Sequence, residues 1–184
     1  MNFVKHSDLE GLHAPFSASQ PFWLRYDDEK LITSYRNKKS AQLGSTLHEW
    51  AKQTIDLRIK QPRSKKTLYS YVNDAIGFRM STEVVLFYSP YFFGTADTIC
   101  FRNNVLRIHD LKTGVSKVHV EQLRVYAALF CLEYRVDPRE IDIILRIYQN
   151  DDFQEEIADG NEIKAIMEKI IHSDKLIQEI EAEV

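Results

Sequence analysis

The sequence predicts an α/β fold in which helices cover a mixed sheet, and three observations predict it. Short runs rich in β-branched and aromatic residues fill the middle of the chain, at 83–89, 93–101 and 105–112. Segments with apolar residues at threes and fours flank them, the period of an amphipathic helix. A further β-like run, 141–149, stands alone between two helical segments. The order is therefore helices, three strands, helix, strand, helix, an α/β sandwich around a mixed sheet.

Residues 1–40 are mixed polar and aromatic and read as an N-terminal adaptor or lid packed on the main body. From Ala41 to about Lys60, Leu43, Leu47, Trp50, Ala51, Ile55 and Ile59 recur at helical spacing, and this helix carries His48. A second helix from Lys66 to Ile76 presents Leu68, Tyr71, Val72 and Ala75, with Gly77 as its stop. Asn103-Asn104 separates the second and third strands and suits a tight hairpin, because Asn tolerates the left-handed backbone. His119 to Tyr134 is a strongly apolar helix, Ile141 to Gln149 a strand, and Asn161 to Glu181 a last amphipathic helix. The core is assigned to 41–150 and the C-terminal helix to 151–184, within one domain of 1–184.

A chain of 184 residues with 44% hydrophobic and 28% charged residues can bury a real core. No apolar run approaches the length of a membrane span and the N-terminus lacks the apolar stretch of a secretory signal, so a cytoplasmic protein is expected. Cys100 and Cys131 sit singly in apolar segments and are expected to be core thiols, not a disulfide framework. A net charge of −3 argues against a protein that coats nucleic acid through a uniformly basic surface. It leaves room for an enzyme with carboxylates at its centre and a local basic rim. Arg58, Lys60, Arg63, Lys65 and Lys66, with Arg36, Lys38 and Lys39 upstream, could form that rim or a solvated loop.

The residues that could carry chemistry cluster on the hairpin. Asp97 lies on one strand and Asp110 on the next, roughly equidistant from the Asn-Asn turn. Lys112 lies two residues beyond Asp110 and so projects from the same face. Charges placed inside apolar strands are costly unless compensated. A hard Mg²⁺ or Mn²⁺ ion would compensate the carboxylates, and the ammonium of Lys112 would orient a water or stabilise developing charge in phosphodiester hydrolysis. Taken alone, a D-x-K triplet is more commonly an ordinary Asp–Lys surface pair.

The wider pattern changes that weighing. LGSTLH at 43–48, GTAD at 94–97, DLKTG at 110–114 and QLRVY at 122–126 stand in this order. The set resembles the RecB-like branch of the PD-(D/E)XK nuclease superfamily, and the resemblance covers residues 43 to 126. It implies a restriction-endonuclease-like core and a Mg²⁺- or Mn²⁺-dependent DNA nuclease, an exonuclease acting in recombination, repair or phage DNA processing. It implies that His48, Asp97, Asp110 and the carbonyl of Leu111 ligate the metal, that Lys112 is catalytic, and that Gln122 and Tyr126 line the site. Gln122 and Tyr126 are four apart on a helix and so share a face. Gly94 and Gly114 are expected to serve a close approach and a strand exit.

Other features are less committed. Glu83 is either a further acid of the site or a solvated strand end. His109 should face away from Asp110, and His6, His13, His119 and His172 have no assigned role. Ser17 to Gln20 resembles the S-x-S segment near the start of many RecB-like nucleases, with a structural role. The four cysteines of the iron-sulfur subgroups are absent, so no cluster is expected. The alternative function is a DNA- or protein-binding module with little turnover. The final helix is expected to cover its own sheet; the other option is packing on a second subunit, giving a homo-oligomer or a recombination partner.

Overall fold

The computed structural model describes Ser7, residues 14–114 and residues 119–183. His6 and His13 lie outside the described residues. The chain forms two compact units, Met1–Ser45 and Thr46–Val184. In the first, a 3-10 turn at Pro21–Arg25 precedes the start of helix α1 (Asp28–Asp56). Ser17 and Ser19 share a hydroxyl contact of 2.7 Å, and the Trp23 indole N–H donates to the Ser17 carbonyl at 3.1 Å. The S-x-S segment thus organises its own turn. Asp27 caps α1 by accepting from the Lys30 N–H at 2.8 Å.

Helix α1 begins 13 residues before the expected Ala41 and ends before Lys60. Its first half is polar and largely exposed, so no apolar period announces it. Its end is a Schellman motif: Ile59 N–H reaches the Thr54 carbonyl, Arg58 N–H the Ile55 carbonyl, and Arg58 is left-handed at φ 54°. Of the expected apolar face, Ala51 and Ile55 are buried, whereas Leu43, Trp50 and Ile59 are exposed.

Helix α2 (Thr67–Gly77) buries Tyr71, Val72, Ala75 and Ile76. Gly77 is its last helical residue and does not stop it. Met80 N–H bonds the Ala75 carbonyl, and Arg79 takes the left-handed position at φ 55°. Helix α3 (Glu121–Tyr134) ends the same way, on Arg135 at φ 56° with Val136 N–H on the Cys131 carbonyl. Arginine takes the left-handed end position at three helices, where glycine is the usual occupant.

Five strands stand in chain order in one sheet: β1 (Ser81–Ser89), β2 (Phe92–Arg102), β3 (Val105–Leu111), β4 (Asp142–Gln149) and β5 (Asp152–Ile157). All neighbours are antiparallel except β3 and β4, which the α3 crossover makes parallel. The fold is α/β, a mixed sheet flanked by helices, as expected of a restriction-endonuclease-like core. Asn103 and Asn104 both have positive φ, 51° and 60°, so the predicted turn forms. β5 was not expected. Its sequence, DFQEEI, is mostly exposed at the sheet edge and shows no apolar alternation, but Asn150 and Asp151 repeat the left-handed pair at φ 54° and 58°.

The sheet has two apolar faces. On one, Leu86, Ala96, Ile99, Leu106, Ile108, Ile143, Leu145 and Ile147 pack with α3 and with Ile163 and Ile170 of helix α4 (Gly160–Ala182). On the other, Leu111 and Tyr148 pack with Ala51, Ile55, Tyr71, Val72, Ala75 and Ile76. The first half of α4 therefore covers its own sheet, while Ile171, Leu176 and Ile180 are exposed. Buried Asp174 ties α4 to the end of β1: it accepts from the Ser89 hydroxyl, and from Gln178 at 2.6 Å. Among the described residues no helix is long and apolar enough to cross a membrane.

Candidate active site

The site forms where β2 and β3 stop pairing. Their ladder runs from Arg102↔Val105 to Thr98↔His109, which places Asp97 and Asp110 opposite one another just beyond its end. The Leu111 N–H, instead of joining that ladder, donates to Asp97 Oδ2 at 2.9 Å. A side-chain carboxylate thus replaces the neighbouring strand as backbone partner.

Strand β2 also loses its alternation here. Ala96 and Ile99 both join the α3-side core, although residues three apart on a regular strand point to opposite faces. Across from this break, Glu83 on β1 is exposed and has φ 50°. A left-handed backbone at a non-glycine residue within a strand is a strained conformation. The irregularity sits beside Asp97, and the charge of Glu83 reaches it.

Asp97 lies against two groups, the Leu111 N–H and His48 of α1, whose Nδ1 is 3.5 Å from Oδ2. Burial raises its pKa first and the Asp110 charge second, to about 6, despite the opposing Leu111 hydrogen bond and His48. Loss of solvation and a neighbouring negative charge both disfavour the charged form of this carboxyl.

Asp110 extends the buried row Leu106–Ile108 on the α3 side and is itself 4% exposed. Lys112 projects from the same face, as alternation requires. Its Nζ lies 3.0 Å from Asp110 Oδ2 and donates to Oδ1 at 3.2 Å. Only the Oδ1 contact has hydrogen-bond alignment, so the buried Oδ2 has a charge beside it but no donor aimed at it. The ion pair compensates the charge, and the oxygen without an aimed donor keeps its capacity to coordinate.

Lys112 also donates to Gln122 Oε1 at 3.2 Å, and Gln122 Nε2 donates to the Tyr126 hydroxyl at 3.0 Å. One turn of α3 thus positions the lysine through its i, i+4 pair. The Tyr126 ring lies against Gly94: a β-carbon there would stand 2.8 Å from Cε1. Gly94 serves a close approach, as expected. At Gly114 a β-carbon would meet nothing within 4 Å, so no close approach requires glycine there.

All seven sequence-derived residues gather here, His48, Asp97, Asp110, Leu111, Lys112, Gln122 and Tyr126. The side chains of His109, His119 and His172 take no part. His109 is buried on the opposite face, T-stacked on Phe78 and 3.4 Å from the Tyr148 hydroxyl, and burial with Arg146 and Arg107 pushes its pKa down to about 3. His119 is exposed near Glu121 and His172 is exposed on α4. Tyr71 is buried as its helical spacing predicts, and burial and then the Asp97 charge raise its pKa.

A hard cation can be tested against these donors. Carboxylate oxygens, one without a hydrogen-bond donor, a backbone oxygen and an imidazole are a suitable set for Mg²⁺ or Mn²⁺. Against this, among the described residues no three His, Cys, Asp or Glu side chains are gathered as a ready metal cage. The donors fit in kind, with Lys112 supplying the positive charge beside Asp110.

An α/β fold with a charged cluster at the end of its central hairpin is thus the class of protein defined. The chain belongs to the DUF2800 family, a protein family of unknown function, which matches residues 79–176. That span holds Asp97, Asp110, Lys112, Gln122 and Tyr126 and leaves out His48. No curated protein and no solved structure matches the chain.

Proposed function

We propose that this protein is a metal-dependent DNA nuclease that hydrolyses phosphodiester bonds, acting as an exonuclease in recombination, repair or phage DNA processing. The observation that carries the reading is Asp110: a carboxylate 4% exposed, beside Lys112 and opposite Asp97. A buried acid next to a second acid costs several kcal/mol unless compensated, on the order of what removing one partner of a buried pair costs. Such an arrangement is more readily retained at a working site than in a core.

His48, Asp97, Asp110 and the Leu111 carbonyl would hold Mg²⁺ or Mn²⁺. When bound, such an ion polarises a phosphate oxygen and lowers the pKa of a water. Lys112, held by Asp110 and Gln122, keeps one N–H that would serve a substrate oxygen or water. Gln122 fixes the lysine, and Tyr126 fixes Gln122. DNA is the partner this reading requires, and the cytoplasm the compartment in which they would meet.

A second reading, a DNA- or protein-binding module with little turnover, draws on the absence of a ready metal cage among the described residues. One set of assays separates them. Linear and circular, single- and double-stranded DNA are incubated with Mn²⁺ and wild type, Asp110→Asn or Lys112→Ala. Cleavage that disappears in both variants supports the nuclease; absence of such cleavage overturns it. Calorimetry adds an independent readout: Mn²⁺ binding lost in Asp97→Ala supports the enzyme. Circular substrates resist an exonuclease and succumb to an endonuclease.

A further inference from the structure

Beside the carboxylates, the surface shared by α1 and α2 carries residues that the hydrolytic reading does not use. Trp50 is 36% exposed, and its indole lies against Tyr69 with ring centroids 6.4 Å apart. Lys66 Nζ stands 5.7 Å from the Tyr69 centroid. Next to them is a cavity of about 360 Å³ with Leu47, Leu68 and Leu111 as apolar lining and Lys66 and Lys112 as charged lining. Lys112 lines this cavity and also bridges Asp110, so cavity and site are contiguous. Asp151, which also lines it, is engaged by the Thr67 N–H at 3.0 Å and the Thr67 hydroxyl at 3.3 Å.

Lys112 is paired with Asp110, and Asp151 and Asp74 line the two cavities, but the basic loop beside them keeps its own cations out of ion pairs. Among the described residues, none of Arg58, Lys60, Arg63, Lys65 and Lys66 takes part in an ion pair. Lys60 and Arg63 of the same loop line a second cavity of about 550 Å³. Cations thus line both cavities, Lys112 and Lys66 the one beside the site, Arg63 and Lys60 the other. Aromatic rings interleaved with unpaired cations bind a polyanion whose flat groups are free to stack. Paired bases in a duplex already stack on one another, so along its length only base edges and phosphates are presented.

We propose that Trp50, Tyr69 and Lys66, with the adjoining cavity, bind unpaired DNA and lead it to the candidate site, an inference that rests on the nuclease reading. A base stacks on the Trp50–Tyr69 platform, its phosphate meets Lys66, and the neighbouring nucleotide enters the leucine-lined cavity beside Lys112. A blunt duplex then becomes a substrate only after its end frays.

Trp50 is itself the probe. The chain has two tryptophans, so a Trp23→Phe background leaves the fluorescence of Trp50 alone. This protein is titrated in EDTA, where cleavage is suppressed, with a fifteen-residue oligothymidylate (about one binding site in length) and with a blunt hairpin duplex. The expected result is saturable quenching by the oligothymidylate, about tenfold or more weaker with duplex, and weakened about tenfold by Tyr69→Ala or Lys66→Glu. Lys66 is exposed, so its reversal tests the charge without testing the fold. No quenching, equal affinity for duplex, or an unaltered affinity in Lys66→Glu overturns the proposal. Quenching without Mn²⁺-dependent cleavage keeps the strand-binding surface and overturns the nuclease; cleavage without quenching does the reverse.

Discussion

Gly94 on β2 and Tyr126 on α3 approach so closely that a β-carbon at position 94 would fall 2.8 Å from the ring edge. The hydroxyl on the neighbouring ring carbon accepts from Gln122, which holds Lys112. A methyl group on one strand is therefore coupled to the ammonium of the site. Gly94→Ala is expected to cost about 1–3 kcal/mol by overpacking. In a double-mutant cycle with Tyr126→Ala, the penalty should largely vanish, leaving a coupling energy of about 1 kcal/mol or more. Denaturant melts of the four proteins measure it, and additive penalties would refute the contact.

Asp97 should oppose stability while serving the site. Burial and Asp110 raise its pKa from 3.8 to about 6, so the fold favours the protonated form. That contribution is fully present below the unfolded pKa near 3.8 and is lost as pH rises through about 6. At pH near 7.5 the metal-free wild type lacks it, whereas Asp97→Asn stays neutral. The variant should gain on the order of 1–2 kcal/mol there, with the difference closing toward pH 4. Thermal melts in EDTA across pH check the sign; a variant less stable at pH 7.5 contradicts it.

Two glycines at helix ends should respond oppositely to alanine. At Gly160, the first residue of α4, a β-carbon would meet the Pro138 carbonyl oxygen at 2.5 Å and Arg139 Cα at 2.8 Å, both backbone atoms. Gly160→Ala should destabilise by about 1–3 kcal/mol. At Gly77, inside the last turn of α2, nothing lies within 4 Å. Gly77→Ala should stabilise by about 0.4–1 kcal/mol, because alanine loses less chain entropy on folding. Urea midpoints with an unchanged slope are the measurement.

The two thiols should differ in reactivity. Cys131 is 1% exposed, and burial, then the Asp137 charge, pushes its pKa up to about 12. At pH 8 its thiolate fraction is roughly 10⁻⁴. Cys100 is only half-buried, with Arg107 and Arg102 opposing the effect of burial. Alkylation at pH 8 should label Cys100 in the folded protein and Cys131 only at the rate of unfolding. Peptide mapping after timed quenching distinguishes them, and prompt labelling of Cys131 would contradict its burial.

Much of this was legible because strand alternation is a local rule. Asp110 and Lys112 share a face as their spacing requires, and the Asn103-Asn104 turn sets a register that puts Asp97 opposite Asp110. The strands were legible from β-branched and aromatic content, and α2 and α3 from their buried stripes. β5 was not, since an edge strand that buries little carries no apolar pattern, although Asn150-Asp151 was a turn signal of the same kind as Asn103-Asn104. The helix ends were misread for a related reason. Glycine is the usual sign of a left-handed end, and here Arg58, Arg79 and Arg135 occupy it.

What the amino-acid order determined by itself was therefore the α/β class, the hairpin, and the facing of Asp97, Asp110 and Lys112, all consequences of period and turn chemistry. Only the tertiary structure decided how those charges are compensated. Asp97 takes the Leu111 N–H where β2 loses its alternation, and Asp110 stays buried with one oxygen lacking a donor. It also brought Trp50, Tyr69 and Lys66 onto one surface. Burial and hydrogen-bond competition depend on which segments pack together, and no rule of local spacing encodes that.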